Sequence, residues 1–268
     1  MQIGIHLPQY GRVASPEAVS RAARHAEQLG YAGVWVSDHI VQPAAQDYPS
    51  PYLYDPLVTL TWAAAVTDEI GLGTSVLVVP QHHPLELANS LASLDDLSGG
   101  RLTVGVGVGW SAAEFDALDQ DFSTRGARID EALRIWRAVW DQDPATFHGE
   151  HYDFEDLLVE PHAVHEDVPL WVGGRSRRSL GRAVALADGW APFGLKRGAF
   201  ADWIREADVP DGFEVVAQPG ARVDPSAEPA RVDDLLGEWA EAGATVVDLH
   251  LVHHSVEHLL EQLHALAP

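Results

Sequence analysis

The chain has no cysteine, one methionine and one lysine, Lys196. Without cysteine there are no disulfides, thiolate metal sites or cysteine nucleophile. Cations are scarce throughout: 17 Lys and Arg against 40 Asp and Glu give a formal net charge of −23. That is the wrong sign for nucleic acid, which needs a basic face to displace its counterions. No apolar run reaches the roughly 20 residues that cross a bilayer. The opening MQIGIHLP is too short and polar for a signal peptide, so a cytoplasmic location is the expectation. Internal repeats, low-complexity tracts and linkers are also missing, and residues 1–268 read as one domain.

What is present is a regular alternation. Runs at 2–7, 33–37, 70–79, 102–108, 169–172, 189–193, 213–218 and 245–252 read as strands, the clearest being the apolar, β-branched stretch 70–79. Helical periodicity fills the gaps at 16–29, 55–68, 84–98, 111–118 with 125–140, 176–187, 198–207, 229–242 and 255–266. Eight such units predict an α/β chain closed into a (β/α)8 TIM barrel, with its site at the C-terminal ends of the strands. A doubly wound sheet is the other arrangement this alternation allows. Asp55 before Pro56 reads as a helix N-cap, and Gly99-Gly100 as a left-handed helix end. The excursion 141–168, ahead of the fifth barrel strand, reads as a short hairpin around Gly149 that borders the site.

Chemistry concentrates at four strand ends. Ser75-Val76 is a small pair closing strand three, and Gly107–Gly109 a glycine tip closing strand four, where glycine recurs at every other position. Glycines on one strand face let something lie against the backbone, so a flat ligand on the barrel mouth is expected. The G-x-G-x-G spacing after strand four, followed by Trp110, does not match a dinucleotide fingerprint. In PLWVGGRSRRS, Gly173-Gly174 turn a strand into a helix with Ser176 as N-cap, an arrangement whose free amides suit an anion. Asp38-His39 ends strand two, a carboxylate and an imidazole placed to orient a ring and move a proton. Arg175, Arg177, Arg178, Arg182, Lys196 and Arg197 cluster in an otherwise acidic chain and point to an anionic ligand nearby; Arg178 and Arg182, spaced i,i+4, read as the wet side of a helix. Among 14 histidines, the groups His82-His83 and His250, His253, His254 invite a metal. Strand one, however, offers only His6 in place of H-x-H, so no metal site is expected. His250 and His254 share a parity that allows both to face inward, but plain packing or a surface role is the expected reading.

Several blocks then carry a resemblance: WVSDH, GTSV, HP-x2-LA with SLDDLSGGR, GVGVGW, RGARIDEALRIW, GEHYDF, PLWVGGRS and ALADGWAP, in order over residues 1–195. The chain resembles the luciferase-like monooxygenase superfamily, most closely its deazaflavin (coenzyme F420)-dependent oxidoreductases. The resemblance implies a bacterial luciferase-like barrel. It places the deazaflavin ring beside Asp38, Ser75, Val76, Gly107, Val108 and Gly109, with a non-proline cis peptide at Ser75-Val76. It puts the cofactor phosphate at Gly173, Gly174, Arg175 and Ser176, and makes His39, with Asp38, the candidate acid or base. Trp110 stands where relatives acting on a sugar phosphate have an acid, so a flat or apolar small-molecule substrate is expected. FMN with a partner reductase is the alternative cofactor arrangement; a barrel metallohydrolase and a non-catalytic flavin-binding protein are further ones. A homodimer is expected, with Ala88, Ala92 and Asp95 as the small-residue face meeting its copy.

Overall fold

Eight of the runs read as strands form one closed barrel in the computed structural model, which describes residues 1–46, 50–162 and 168–268. They are β1 (Gln2–His6), β2 (Gly33–Val36), β3 (Gly71–Val78), β4 (Leu102–Gly107), β7 (Leu170–Gly173), β8 (Gly189–Ala191), β9 (Glu214–Ala217) and β10 (Val246–Leu249). All pair in parallel, in the closed order β1-β10-β9-β8-β7-β4-β3-β2. Among the described residues two strands remain, β5 (Ala145–His148) and β6 (Asp153–Leu157), and they form the expected hairpin around Gly149. Its turn is fastened to the barrel by Glu131, whose carboxylate accepts from the amides of Glu150 at 2.8 Å, His151 at 3.0 Å and Tyr152 at 3.1 Å. Part of the 141–168 excursion, residues 163–167, lies outside the described residues.

The helices are α1 (Pro16–Gln28), α2 (Pro56–Ala64), α3 (Pro84–Ser98), α4 (Ala112–Ala117), α5 (Arg125–Asp141), α6 (Arg177–Leu186), α7 (Arg197–Ala207), α8 (Pro229–Glu241) and α9 (Val256–Leu266). Caps set several of their starts. Asp55 accepts from the Val58 amide at 2.9 Å ahead of Pro56, as its sequence context predicts. Gly99, at φ 73°, closes α3 in the left-handed region. No helix among the described residues is long and apolar enough to cross a membrane.

The main core fills the space between helices and barrel, where Leu60, Leu72, Leu91, Ile129 and Trp136 are fully buried. A second cluster, Trp35, Trp171, Ala191, Val216 and Val246, plugs the barrel interior near its N-terminal end. Gly4 and Gly73 make room for it, because a Cβ on either would overlap the Trp35 indole.

One expectation is overturned in the helix layer. Ala88 and Ala92 are fully buried and Asp95 is 1% exposed, so they cannot meet a second copy. They admit the indoles of α5: Trp136 Nε1 donates to the Pro84 carbonyl at 2.9 Å and Trp140 Nε1 to the Ala88 carbonyl at 3.2 Å. Small residues here serve contact between neighbouring helices of one chain.

Candidate active site at the barrel mouth

Above the tryptophan plug, the inward-facing residues at the C-terminal strand ends become polar: His6, Ser37, Ser75, Gln218 and Asp248. The alternation of a strand brings them there, since Gly4 and His6, Gly73 and Ser75, and Val246 and Asp248 share a face. Two walls rise from this floor, and they differ in chemistry.

The first wall is an apolar shelf on β3, β4 and β7. Pairing between β3 and β4 slips between Thr74 and Leu77, and the Ser75–Val76 peptide within that bulge is cis, as the resemblance implies. The Val76 side chain lies across the glycine strands. A Cβ on Gly107 would come 2.6 Å from Val76 Cγ2, one on Gly173 would come 2.9 Å from Cγ1, and one on Gly105 would overlap the Thr74 carbonyl. The space that glycine leaves on β4 is thus occupied by the chain's own bulge, and the surface offered to a ligand is Val76. Gly109 has φ 76°, and a Cβ there would sit 2.7 Å from both Phe115 and Val78. It turns the chain so that Trp110 emerges 55% exposed at the rim.

Next to the shelf, β7 runs through Gly174, at φ 101°, into α6. Ser176 caps this helix: its Oγ accepts from the Ser179 amide at 3.1 Å, and Ser179 Oγ accepts from the Ser176 amide at 3.2 Å. The first helical amides, Arg177 and Arg178, have no acceptor within the helix, and Arg175 and Arg178 are exposed beside them. Of the other clustered cations, Arg177 pairs with Glu206 at 2.7 Å and Arg197 with Glu238. Arg182 departs from the wet-side expectation: its side chain is only 9% exposed and pairs with Asp130 on α5, because α6 packs its flank against that helix.

Asp38 is 3% exposed. Its Oδ2 accepts from the Val78 amide at 2.8 Å and lies 3.4 Å from His82 Nε2, so it anchors the strand leaving the bulge. Burial works against a charge on His82, yet the Asp38 carboxylate outweighs it and the imidazole titrates above its ordinary value. His83 caps α3, so the His82-His83 pair has structural partners on both sides.

His39 stands half-buried at the rim with its Nδ1 3.1 Å from Glu114 Oε2, and its ring meets Trp110 edge-on at 5.7 Å between centroids. Glu114 is 1% exposed and also accepts from the amides of Ile40 at 2.8 Å and Val41 at 3.3 Å. Burial alone would raise its pKa; the bonds from His39 and Ile40 outweigh that and hold the carboxyl below the ordinary range. The pairing fixes the ring so that Nε2 is the nitrogen left for a ligand. Sequence reading missed Glu114, although Ser111-x-x-Glu114 is a capping-box signature. The Ser111 half forms, at 3.4 Å, while the glutamate turns to His39 instead.

The second wall is polar and stands on β1, β2 and β10. His6 Nε2 is 2.8 Å from Ser37 Oγ, and His6 Nδ1 is 3.5 Å from Asp248 Oδ1. Ser75 Oγ donates to Asp248 Oδ2 at 2.6 Å, and Gln218 Nε2 donates to Ser75 Oγ. Burial pushes the Asp248 carboxyl up, but the adjacent His6 and the Ser75 hydroxyl hold it below its ordinary value. His250 stacks on His6 with centroids 4.0 Å apart and planes 19° off parallel. Burial first, then the His6 charge, pushes His250 down to about 3, so it is neutral near pH 7. His6, Asp248 and His250 offer ligand atoms close enough for a metal, but stacked rings send their in-plane lone pairs side by side instead of converging. His254 takes the surface role: it is exposed and stacks on His258, because the chain has left the strand there.

Comparison with known proteins adds the following. The family model described as luciferase-like monooxygenase matches residues 1–254. An F420-dependent glucose-6-phosphate dehydrogenase of Kineococcus radiotolerans is 29% identical, over 91% of this chain and 74% of its own. Among solved structures, an F420-dependent secondary alcohol dehydrogenase in complex with an F420–acetone adduct superposes with a TM-score of 0.80 at 18% identity, covering 100% of this chain and 99% of that one. A monooxygenase from Streptomyces bottropensis superposes with a TM-score of 0.78 at 21% identity, covering 100% and 98%.

Proposed function

Since the chain belongs to the luciferase-like monooxygenase family, we propose that it is a deazaflavin (coenzyme F420)-dependent oxidoreductase. It moves a hydride between the deazaflavin C5 and a small organic substrate: an alcohol, an aldehyde or ketone, or an enone. The observation that carries this reading is the pairing of an apolar shelf with proton-handling groups around one mouth. Val76 offers a flat backing across Gly105, Gly107 and Gly173, suited to a planar ring, with Ser75, Val108 and Gly109 at its edges. The α6 N-terminus beside Gly174, Ser176 and Arg175 suits an anionic tail. When bound, the deazaflavin would give or take the hydride; the protein's part is to orient ring and substrate, exclude water and handle protons.

In this reading Asp38 holds the bulge in place, and His39 exchanges a proton with the substrate through Nε2 while Glu114 fixes its orientation. Trp110 walls the substrate at the rim and favours planar, uncharged groups there. A second reading, an FMN-dependent monooxygenase fed reduced flavin by a partner reductase, is favoured by the similarity to the Streptomyces monooxygenase. Association of two copies remains part of the proposal, through a face other than that of Ala88 and Ala92. Light scattering tests it, a single chain having a mass of 29.1 kDa. The function itself is tested by anaerobic mixing with reduced deazaflavin and a panel of carbonyl compounds, following loss of the reduced form by absorbance. Oxidation that depends on a carbonyl supports the reading. Oxidation only on admitting oxygen, with FMN as cofactor, supports the second.

A further inference from the structure

The polar wall remains without a task in that reading, and its connectivity is specific. Asp248 Oδ1, His6 Nδ1, His6 Nε2 and Ser37 Oγ follow one another at 3.5 Å and 2.8 Å, a carboxylate, imidazole and hydroxyl in series. His6 and Asp248 are 4% and 1% exposed, while Ser37 is half-buried at the mouth. Gln9, fully buried, clamps Ser37 by its backbone: its Nε2 donates to the Ser37 carbonyl at 2.9 Å and its Oε1 accepts from the Ser37 amide. That clamp occupies the amide that would be the natural oxyanion donor of an acyl-transfer serine, so the series is suited to stabilising charge on a ligand oxygen and not to nucleophilic attack.

The barrel closure says which ligand. In the order β1-β10-β9-β8-β7-β4-β3-β2, β1 lies across from β7 and β10 across from β4. A ring lying on the Val76 shelf therefore has its open face toward His6, Ser37 and Asp248, where a substrate must sit. His39 lies two residues beyond Ser37 in the segment that follows β2, nearer the rim, where its ring meets Glu114 and Trp110. One mouth thus holds two separate proton-handling sets at different depths. Reduction of a simple carbonyl needs one, at its oxygen. Reduction of a conjugated carbonyl needs two, because charge develops on oxygen while the proton arrives on carbon.

We propose that the substrate is an α,β-unsaturated carbonyl compound whose oxygen binds Ser37 Oγ, with His6 and Asp248 as positioning residues behind it. This inference rests on the hydride-transfer reading above. The substrate β-carbon takes the hydride from C5 of the reduced deazaflavin, and the carbon–carbon double-bond electrons move to leave an enolate. Its oxygen is held by the Ser37 hydroxyl. The α-carbon then takes the proton of His39 Nε2, the C=O bond re-forms, and His39 regains a proton from solvent at the rim. One hydride and one proton have added across the double bond, and the deazaflavin is oxidised. Tyr10 and Arg222 face the same wall, Tyr10 Oη lying 3.4 Å from His250 Nδ1 and accepting from Arg222 at 3.1 Å. Among these groups, His6 is the imidazole in direct contact with Ser37 Oγ, at 2.8 Å.

The test uses 4-nitrophenolate, a planar mimic of the enolate, in equilibrium binding to the full chain with and without oxidised deazaflavin. Ser37→Ala and His6→Gln should weaken its binding at least tenfold. Ser37→Thr should restore it, and His39→Gln should leave it intact. In single turnover with reduced deazaflavin, 2-cyclohexenone should react at least tenfold faster than cyclohexanone. Removal of one oxyanion donor should slow the enone by about 10²-fold, with deazaflavin affinity and melting temperature unchanged. Wild-type nitrophenolate affinity in a folded Ser37→Ala variant overturns the proposal, as does reduction of cyclohexanone as fast as cyclohexenone. If no carbonyl compound oxidises the reduced deazaflavin, the hydride-transfer reading fails, and the nitrophenolate arm still reports on the Ser37 site alone.

Discussion

Replacing Glu114 should show how much of the mouth depends on one buried carboxylate. Glu114→Ala removes the acceptor of three donors: His39 Nδ1 at 3.1 Å and the amides of Ile40 at 2.8 Å and Val41 at 3.3 Å. Hydrogen bonds to a charged group contribute about 1.5–3 kcal/mol each, and donors left buried without a partner cost more. The contributions overlap, and loss of one partner from a buried ionic set gives about 3–5 kcal/mol in total. At roughly 2–3 °C per kcal/mol for a chain of this size, the melting temperature should fall by about 6–15 °C. The sign of the pH dependence follows from the depressed carboxyl. Its stabilisation is fully present above the unfolded value of about 4.3, and it disappears as pH falls through the lower folded value. Differential scanning calorimetry of wild type and Glu114→Gln from pH 7 to pH 3 should therefore show a gap that narrows only in the acid range. A loss under 2 °C for Glu114→Ala, or a gap that widens on acidification, would refute the reasoning.

Four further outcomes follow from the same geometry. Gly105→Ala should be severely destabilising, because its Cβ would overlap the Thr74 carbonyl, whereas Gly181→Ala, with nothing within 4 Å on the exposed side of α6, should be neutral or stabilise by about 0.5–1 kcal/mol; equal effects by denaturant unfolding would contradict the packing account of the β4 glycines. Ser176→Ala breaks the capping box of α6 and should cost about 1 kcal/mol while weakening binding of a phosphate-bearing cofactor; unchanged affinity would move the phosphate elsewhere. His39→Ala should lower turnover by roughly 10²–10⁴-fold with cofactor affinity nearly unchanged, and a wild-type rate would reduce His39 to a structural role. Trp110→Ala should alter preference across a substrate panel without changing the melting temperature, since the indole is 55% exposed; loss of stability with preference intact would make it a packing residue.

The barrel was legible because its evidence is local. The strands are short, largely apolar runs, and Asp55, Ser176 and Gly99 announce helix ends by chemistry that acts within four residues. The shelf was legible as a place but not as a contact: alternate glycines on β4 told of a close approach, and only the fold shows that Val76 makes it. Glu114, Gln9 and the Ser37–His6–Asp248 series were not legible, since their partners lie 28 to 242 positions apart and only barrel closure joins them. One signal was available in β10, where Val246, Asp248 and His250 share a face and turn polar toward the mouth. The small residues of α3 misled because an alanine stripe looks the same whether it meets a second copy or the tryptophans of the next helix.

The most direct test of the central claim is a parallel fluorescence titration of the full chain with oxidised deazaflavin coenzyme and with FMN, in one buffer and at one salt concentration. The account expects the deazaflavin to bind at least tenfold more tightly, a difference of about 1.4 kcal/mol. Tighter binding of FMN would contradict it and leave the chain a flavin-dependent monooxygenase.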